Sequence, residues 1–190
     1  MTFDAANSRE QVLLRRIKLL TWVFILGLAI GGATAIPLKT ELELSVKLLG
    51  VEGKTSTEVS SGLAHWILRV REGLQETDTK YPFMAYGTDW LAFGHFMIAV
   101  AFVGALRHPV RNVWLFTFGM IACALIVPYA FIFGGVRGIP IYWRLIDCSF
   151  GVFGIIPVWY CRRCVAEIEQ IRRSNTTKVS GNEAQKHVPD

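Results

Sequence analysis

The chain's residues predict an all-α integral membrane protein, a four-transmembrane-helix bundle with a helical extracytoplasmic insertion between spans 1 and 2. Three observations predict it. Of the 190 residues 52% are hydrophobic and only 18% charged, and mean hydropathy is +0.38, too apolar for an ordinary soluble domain of this length. Long uncharged runs recur, each able to cross a hydrocarbon core of ~30 Å. The basic residues cluster beside the ends of those runs, where they read as topology signals. The net charge of +5 therefore does not point to nucleic acid, since no Lys/Arg stripe interleaves with aromatics on a soluble face.

Residues 1 to 18 are polar and then basic, with Ser8 and Gln11 in capping-box spacing ahead of Arg15, Arg16 and Lys18, so a helix is expected to begin here. The first span covers about 19–36 and Pro37 ends it. A rival reading takes the same stretch as a secretory signal peptide with Ala33-Thr34-Ala35 as cleavage site. The apolar run exceeds the 7 to 15 residues usual for such a segment, which favours an uncleaved span.

Residues 37–88 form the extracytoplasmic segment. Thr40 and Glu43 have capping-box spacing and Gly50 suits a helix end. Alternation of Leu42, Leu44, Val46 and Leu48 also suits a strand, but a lone strand has no partner, so helix is expected. Between Glu58 and Gln75 the apolar positions Val59, Leu63, Trp66, Ile67, Val70 and Leu74 define one face of an amphipathic helix, with His65, Arg69, Glu72 and Glu76 on the other.

The second span is expected over 89–106, capped by Thr88 or Asp89 and anchored by Trp90. Arg107, His108 and Arg111 fill a short turn, and Pro109 suits the start of the third span, over 113–133, which Pro128 is expected to kink. The fourth covers 141–160 and continues as a helix to about Arg173; from there a polar tail, 174–190, is expected to be disordered. Residues 1–173 then form a single membrane domain. Bases crowd the two termini and the turn after the second span, so the positive-inside rule places both termini in the cytoplasm.

Ionisable groups inside spans are costly and are functional candidates by default. His95 lies ~9 Å below Asp89 on the second helix, and Asp147 lies ~10 Å below Pro140 on the fourth. Tyr129 belongs to a similar layer, and Arg144 stands one turn from Asp147, able to pair with it or with Asp89. Ala92, His95 and Ala99 share one side of the second helix; Asp147, Gly151 and Gly154 share one side of the fourth, so these faces can approach closely. One reading is a ligand or proton pocket lined by His95, Tyr129, Arg144 and Asp147 with Asp89 at its rim. The other has the same groups pair among themselves and hold the bundle in register.

No other chemistry is signalled. Cys161-Arg162-Arg163-Cys164 matches C-x-x-C but has no second ligand pair and no thioredoxin-like context, so packing cysteines are expected. Phosphate-loop, zincin and nucleophile-elbow motifs are absent. Neither a catalytic residue nor a metal or other cofactor is assigned, and the expected partners are the lipid bilayer and other membrane proteins.

The segments AIPLKTELEL, YPFMAYGTDWLAFGH, RHPVRNVW and RLIDCSFGVFG resemble those of small, uncharacterised multi-span inner-membrane proteins of bacteria. The resemblance implies a bacterial plasma membrane and carries no activity across. The leading expectation is a non-catalytic accessory or assembly component of a membrane complex. A small transporter or proton-coupled channel using the polar pocket comes second, and a membrane redox enzyme third.

Overall fold

The structure is a computed structural model that describes residues 3–186, with side chains over 6–177. Among these residues six α-helices follow one another: α1 Phe3–Ala35, α2 Leu38–Leu48, α3 Gly62–Lys80, α4 Tyr86–Arg107, α5 Val113–Val136 and α6 Ile141–Lys186. Short 3-10 turns occupy Ser56–Glu58 and Pro82–Ala85, and no strand occurs among the described residues. The all-α, four-span fold class stands: α1, α4, α5 and α6 each hold a stretch long and apolar enough to cross a membrane. These helices also turn large apolar side chains outward, with Leu19 66%, Ile30 62%, Val100 60% and Phe153 71% exposed. In water such a surface would aggregate, whereas helices satisfy their own backbone polar groups and can show side chains of this kind to lipid.

The chain divides into two compact units. One joins the described residues up to Ile25 with those from Val100 onward; the other is Leu26–Ala99. In the first, Phe24, Phe102 and Phe116 stack in sequence, with ring centroids 4.7 and 6.3 Å apart, and Phe102 and Phe116 are wholly buried. Helices α5 and α6 meet where Gly151 lies against the Cys123 carbonyl and Gly154 against the Cys123 thiol. The small-residue face expected on the fourth span is thus a helix contact. Pro128 lies inside α5 without ending it, and Pro157 does the same in α6.

At the other end of this unit α1 and α6 pair antiparallel. Thr21 meets Cys161, Arg16 bonds to the Tyr160 hydroxyl, Arg9 pairs with Glu167 and Glu10 with Arg172, so the earlier part of α1 meets the later part of α6. Leu13, Ile17, Val165 and Ile168 are buried there. The tail is a correction. Where disorder is expected from Ser174, α6 is helical to Lys186, and residues 187–190 lie outside the described residues. Ser174, Thr176 and Thr177 each return their hydroxyl to a carbonyl three or four residues back, which satisfies them within the helix; after Pro157 the sequence has no proline before Pro189.

The turn after α4 is closed by Asn112, whose side-chain amide donates to the Gly104 and His108 carbonyls at 2.8 and 3.2 Å. Asn112, not Pro109, precedes the first residue of α5. The side chain thereby adds a second donor to two carbonyls that already accept the His108 and Asn112 backbone amides.

In the unit Leu26–Ala99 the segment 38–48 is helix, as the lack of a strand partner predicts, but it starts at Leu38 with no side-chain cap. The Thr40/Glu43 spacing is therefore not used as a cap. Gly50 ends α2 at φ +65°, with the Val51 amide reaching back to the Val46 carbonyl, a left-handed stop that glycine adopts without strain. The working capping box is Thr55 with Glu58. Helix α3 runs four residues later at its start and five later at its end than its periodicity suggests. It buries Ile67 and Leu68, while Leu63 is 44% exposed. Helix α4 begins at Tyr86, so Thr88 and Asp89 sit inside its first turn, and the Thr88 hydroxyl donates to the Ala85 carbonyl.

Candidate functional site

The five residues of the expected pocket divide between the two units. Asp89 and His95 fall in Leu26–Ala99; Tyr129, Arg144 and Asp147 fall in the other.

Asp89 is exposed, on a ledge with Tyr86, Trp90 and Phe93. The rings of that ledge meet edge to face at 5.9 and 5.4 Å, an arrangement suited to a membrane interface. His95 lies deeper. Its Nδ1 is 2.8 Å from the Leu91 carbonyl, so in the neutral ring the proton sits on Nδ1 and Nε2 keeps the lone pair. The ring lies against Gly31 of α1 and the His95 Cβ against Gly32: a Cβ on Gly32 would stand 3.0 Å from His95 Cβ and 3.1 Å from the Ala92 carbonyl. Ala92 and Ala99 beside it are buried. His95 therefore occupies a close helix crossing that glycine permits.

On the other unit, Arg144 does not pair with Asp147. Its Nε donates to the Ile139 carbonyl at 2.7 Å, and its aliphatic stem lies on Gly134, where a Cβ would be 2.9 Å from Cγ and Cδ. The loop it closes is a glycine stop, with Gly138 at φ +67° and the Ile139 amide bonded to the Gly134 carbonyl. Tyr129 is 65% exposed and stacks on Phe133 at 4.5 Å. Asp147 is half-buried, and no ion pair to it exists among the described residues.

All four cysteines are buried and unbridged. Cys161 packs against α1, its sulfur 3.7 Å from the Ile17 carbonyl. No cluster of three or more His, Cys, Asp or Glu able to hold a metal is present among the described residues.

Sequence reasoning assigned His65 and Glu72 to a polar face and missed what they do. The Glu72 carboxylate accepts from the Ser56 amide at 2.6 Å and from its hydroxyl at 2.5 Å. His65 Nδ1 lies 2.8 Å from both the Ser56 and the Val59 carbonyls. Together they latch the 3-10 turn onto α3. This is not a nucleophile arrangement, because the ring meets carbonyls and not the hydroxyl. The two bonds from Ser56 hold the Glu72 carboxyl below its ordinary value of 4.5. A carboxyl depressed by folding stabilises above that ordinary value, and the contribution is lost as pH falls through the lower, folded value. Hydrogen exchange at the Ser56 amide is accordingly expected to be slow at neutral pH and to lose its protection, relative to neighbouring amides, as the pH drops below 4.5. In Glu72→Leu the protection is expected to be gone at every pH, and equal protection in that variant would show that the latch does not matter.

A second feature lay beyond sequence reasoning. A groove of about 600 Å³ runs between the start of α2, the second half of α3 and the turn before α4. Its residues lie in three separate segments, and no periodicity announces that they meet.

Fold and surface together define a helical, membrane-embedded protein. No protein-family model, no curated protein and no solved structure matches the chain.

Proposed function

We propose that the chain is a non-catalytic accessory or assembly component of a complex in a bacterial inner membrane, with both termini cytoplasmic. The observation that carries this reading is that two of its intramembrane polar side chains, Arg144 and His95, are engaged by their own backbone. Arg144 is held by the Ile139 carbonyl, and His95 by the Leu91 carbonyl over Gly31 and Gly32. Groups used this way hold helices in place and are not free to carry a substrate. The paired ends of α1 and α6, joined by Arg9–Glu167 and Glu10–Arg172, offer a rigid helical surface to other proteins. Their basic residues, with Arg107 and Arg111, support the cytoplasmic assignment.

Asp147 favours a second reading, a small transporter or proton-coupled channel, because a half-buried carboxylate with no ion pair among the described residues is suited to take up a proton. One experiment separates the two. Affinity isolation from native membranes in mild detergent, followed by mass spectrometry, is expected to recover a larger membrane protein in fixed stoichiometry. His95→Ala and Asp147→Asn are expected to leave that composition unchanged. A lone monomer or homo-oligomer, with a phenotype lost in Asp147→Asn while the protein still folds, would replace the accessory reading with the transport one.

A further inference from the structure

The groove in the unit Leu26–Ala99 has a two-sided chemistry. Its walls are mostly apolar: Ile36 from the connection after α1, Leu38 from the start of α2, Val70 and Leu74 from α3, and Met84 and Ala85 from the turn before α4. Among its lining residues Lys39 and Asp78 form an ion pair with each other. Their side chains keep 55% and 33% of their surface, so a visitor can reach the pair and exchange partners with it. A volume of about 600 Å³ is of ligand-pocket size.

Position narrows the occupant. Ile36 follows the end of the first apolar helix, and Met84 lies in the stretch that opens the second, Pro82–Arg107. The groove thus adjoins two span ends, at the depth where lipid headgroups meet acyl chains. An adjacent cation and anion above an apolar trough match an amphiphile carrying both charges. A phosphate would face Lys39, in the first turn of α2 where the helix dipole also favours an anion, and a protonated amine would face Asp78. Thr77, also in the lining, adds a hydroxyl donor for phosphate or ester oxygens.

We propose that this groove binds one zwitterionic phospholipid with a phosphoethanolamine headgroup, taking the headgroup and the start of an acyl chain while the remainder stays in the bilayer. The inference rests on the membrane reading and is independent of the accessory-subunit one. Gly73 gives the test a clean handle, because it lines the groove and a Cβ there meets nothing within 4 Å. Gly73→Phe fills the trough, and removing a helix-interior glycine does not weaken α3.

The full-length protein, first checked to remain in the membrane fraction, is purified in mild detergent. It is offered equal amounts of dioleoyl-phosphatidylethanolamine and dioleoyl-phosphatidylglycerol, and native mass spectrometry counts what stays bound. The expected result is one phosphatidylethanolamine per chain, retained about tenfold over the anionic lipid, equivalent to about 1.4 kcal/mol. Gly73→Phe is expected to abolish that retention with an unchanged melting curve, and Asp78→Asn to shift the preference toward the anionic lipid. Equal retention of the two lipids, or retention untouched by both variants, would overturn the proposal. Recovery of the protein outside the membrane fraction would instead defeat the membrane reading itself.

Discussion

Gly151→Leu is expected to abolish stably folded protein, at a cost of about 3 kcal/mol or more, the upper end of what overpacking exacts. The reason is the identity of the neighbour. A Cβ at Gly151 would stand 2.5 Å from the Cys123 carbonyl oxygen and 3.2 Å from Ile126 Cβ. A flexible side chain can swing aside, but a backbone carbonyl inside α5 cannot move without shifting the helix. In lipid, helices associate through close packing and not through exclusion from water, so widening the α5–α6 contact removes much of what joins them. Gly27→Leu is the matched control, because a Cβ there meets nothing within 4 Å. Thermal melting followed by size-exclusion chromatography in detergent should show early loss of the Gly151 variant and a native profile for the Gly27 one. Equal melting of the two would refute the close α5–α6 approach.

Phe102→Ala is expected to destabilise by about 3 kcal/mol, chiefly through the cavity it leaves. Phe102 is wholly buried between Phe24 and Phe116, and its Cζ lies 3.0 Å from where a Cβ on Gly119 would stand. Val158 Cγ1 is nearly as close, at 3.3 Å. Gly119→Ala alone therefore presses on a packed ring, and the strain should outweigh the ~1 kcal/mol that alanine gains over glycine in a helix. In the Phe102→Ala background the closest of these neighbours is gone and the Val158 and Phe24 atoms remain at 3.3 and 3.7 Å, so the penalty of Gly119→Ala should shrink, giving a coupling of roughly 1–2 kcal/mol. Melting of the four proteins of the cycle measures it. Additive effects would mean that Phe102 and Gly119 do not share a contact.

The span lengths were legible because crossing hydrocarbon requires a run of apolar residues, and a run is a local property of the chain. The four observed helices of this kind overlap the expected spans closely; extensions beyond the apolar runs, such as α6 continuing to Lys186, were harder to read. Helix caps were less legible. Thr40/Glu43 and Thr55/Glu58 have the same spacing, yet only the second forms a box, since Pro37 lets α2 begin at Leu38. The expected pocket fared differently again. Its residues were found from depth along each helix, which fixes height but not the direction a side chain takes. Arg144 turned to a carbonyl five residues back, and Tyr129 turned outward.

By itself, then, the sequence determined that this is a helical membrane protein of four apolar spans with a helical insertion, because hydropathy, length and charge placement along a chain suffice for that. Tertiary structure alone decided which polar groups are engaged and which glycines are indispensable. It set His95 on Gly31 and Gly32, Glu72 on Ser56, and Lys39 beside Asp78 in the lining of a groove. The physical reason is that a hydrogen bond or a close contact is settled by neighbours far apart in the chain, and their meeting leaves no period in the sequence.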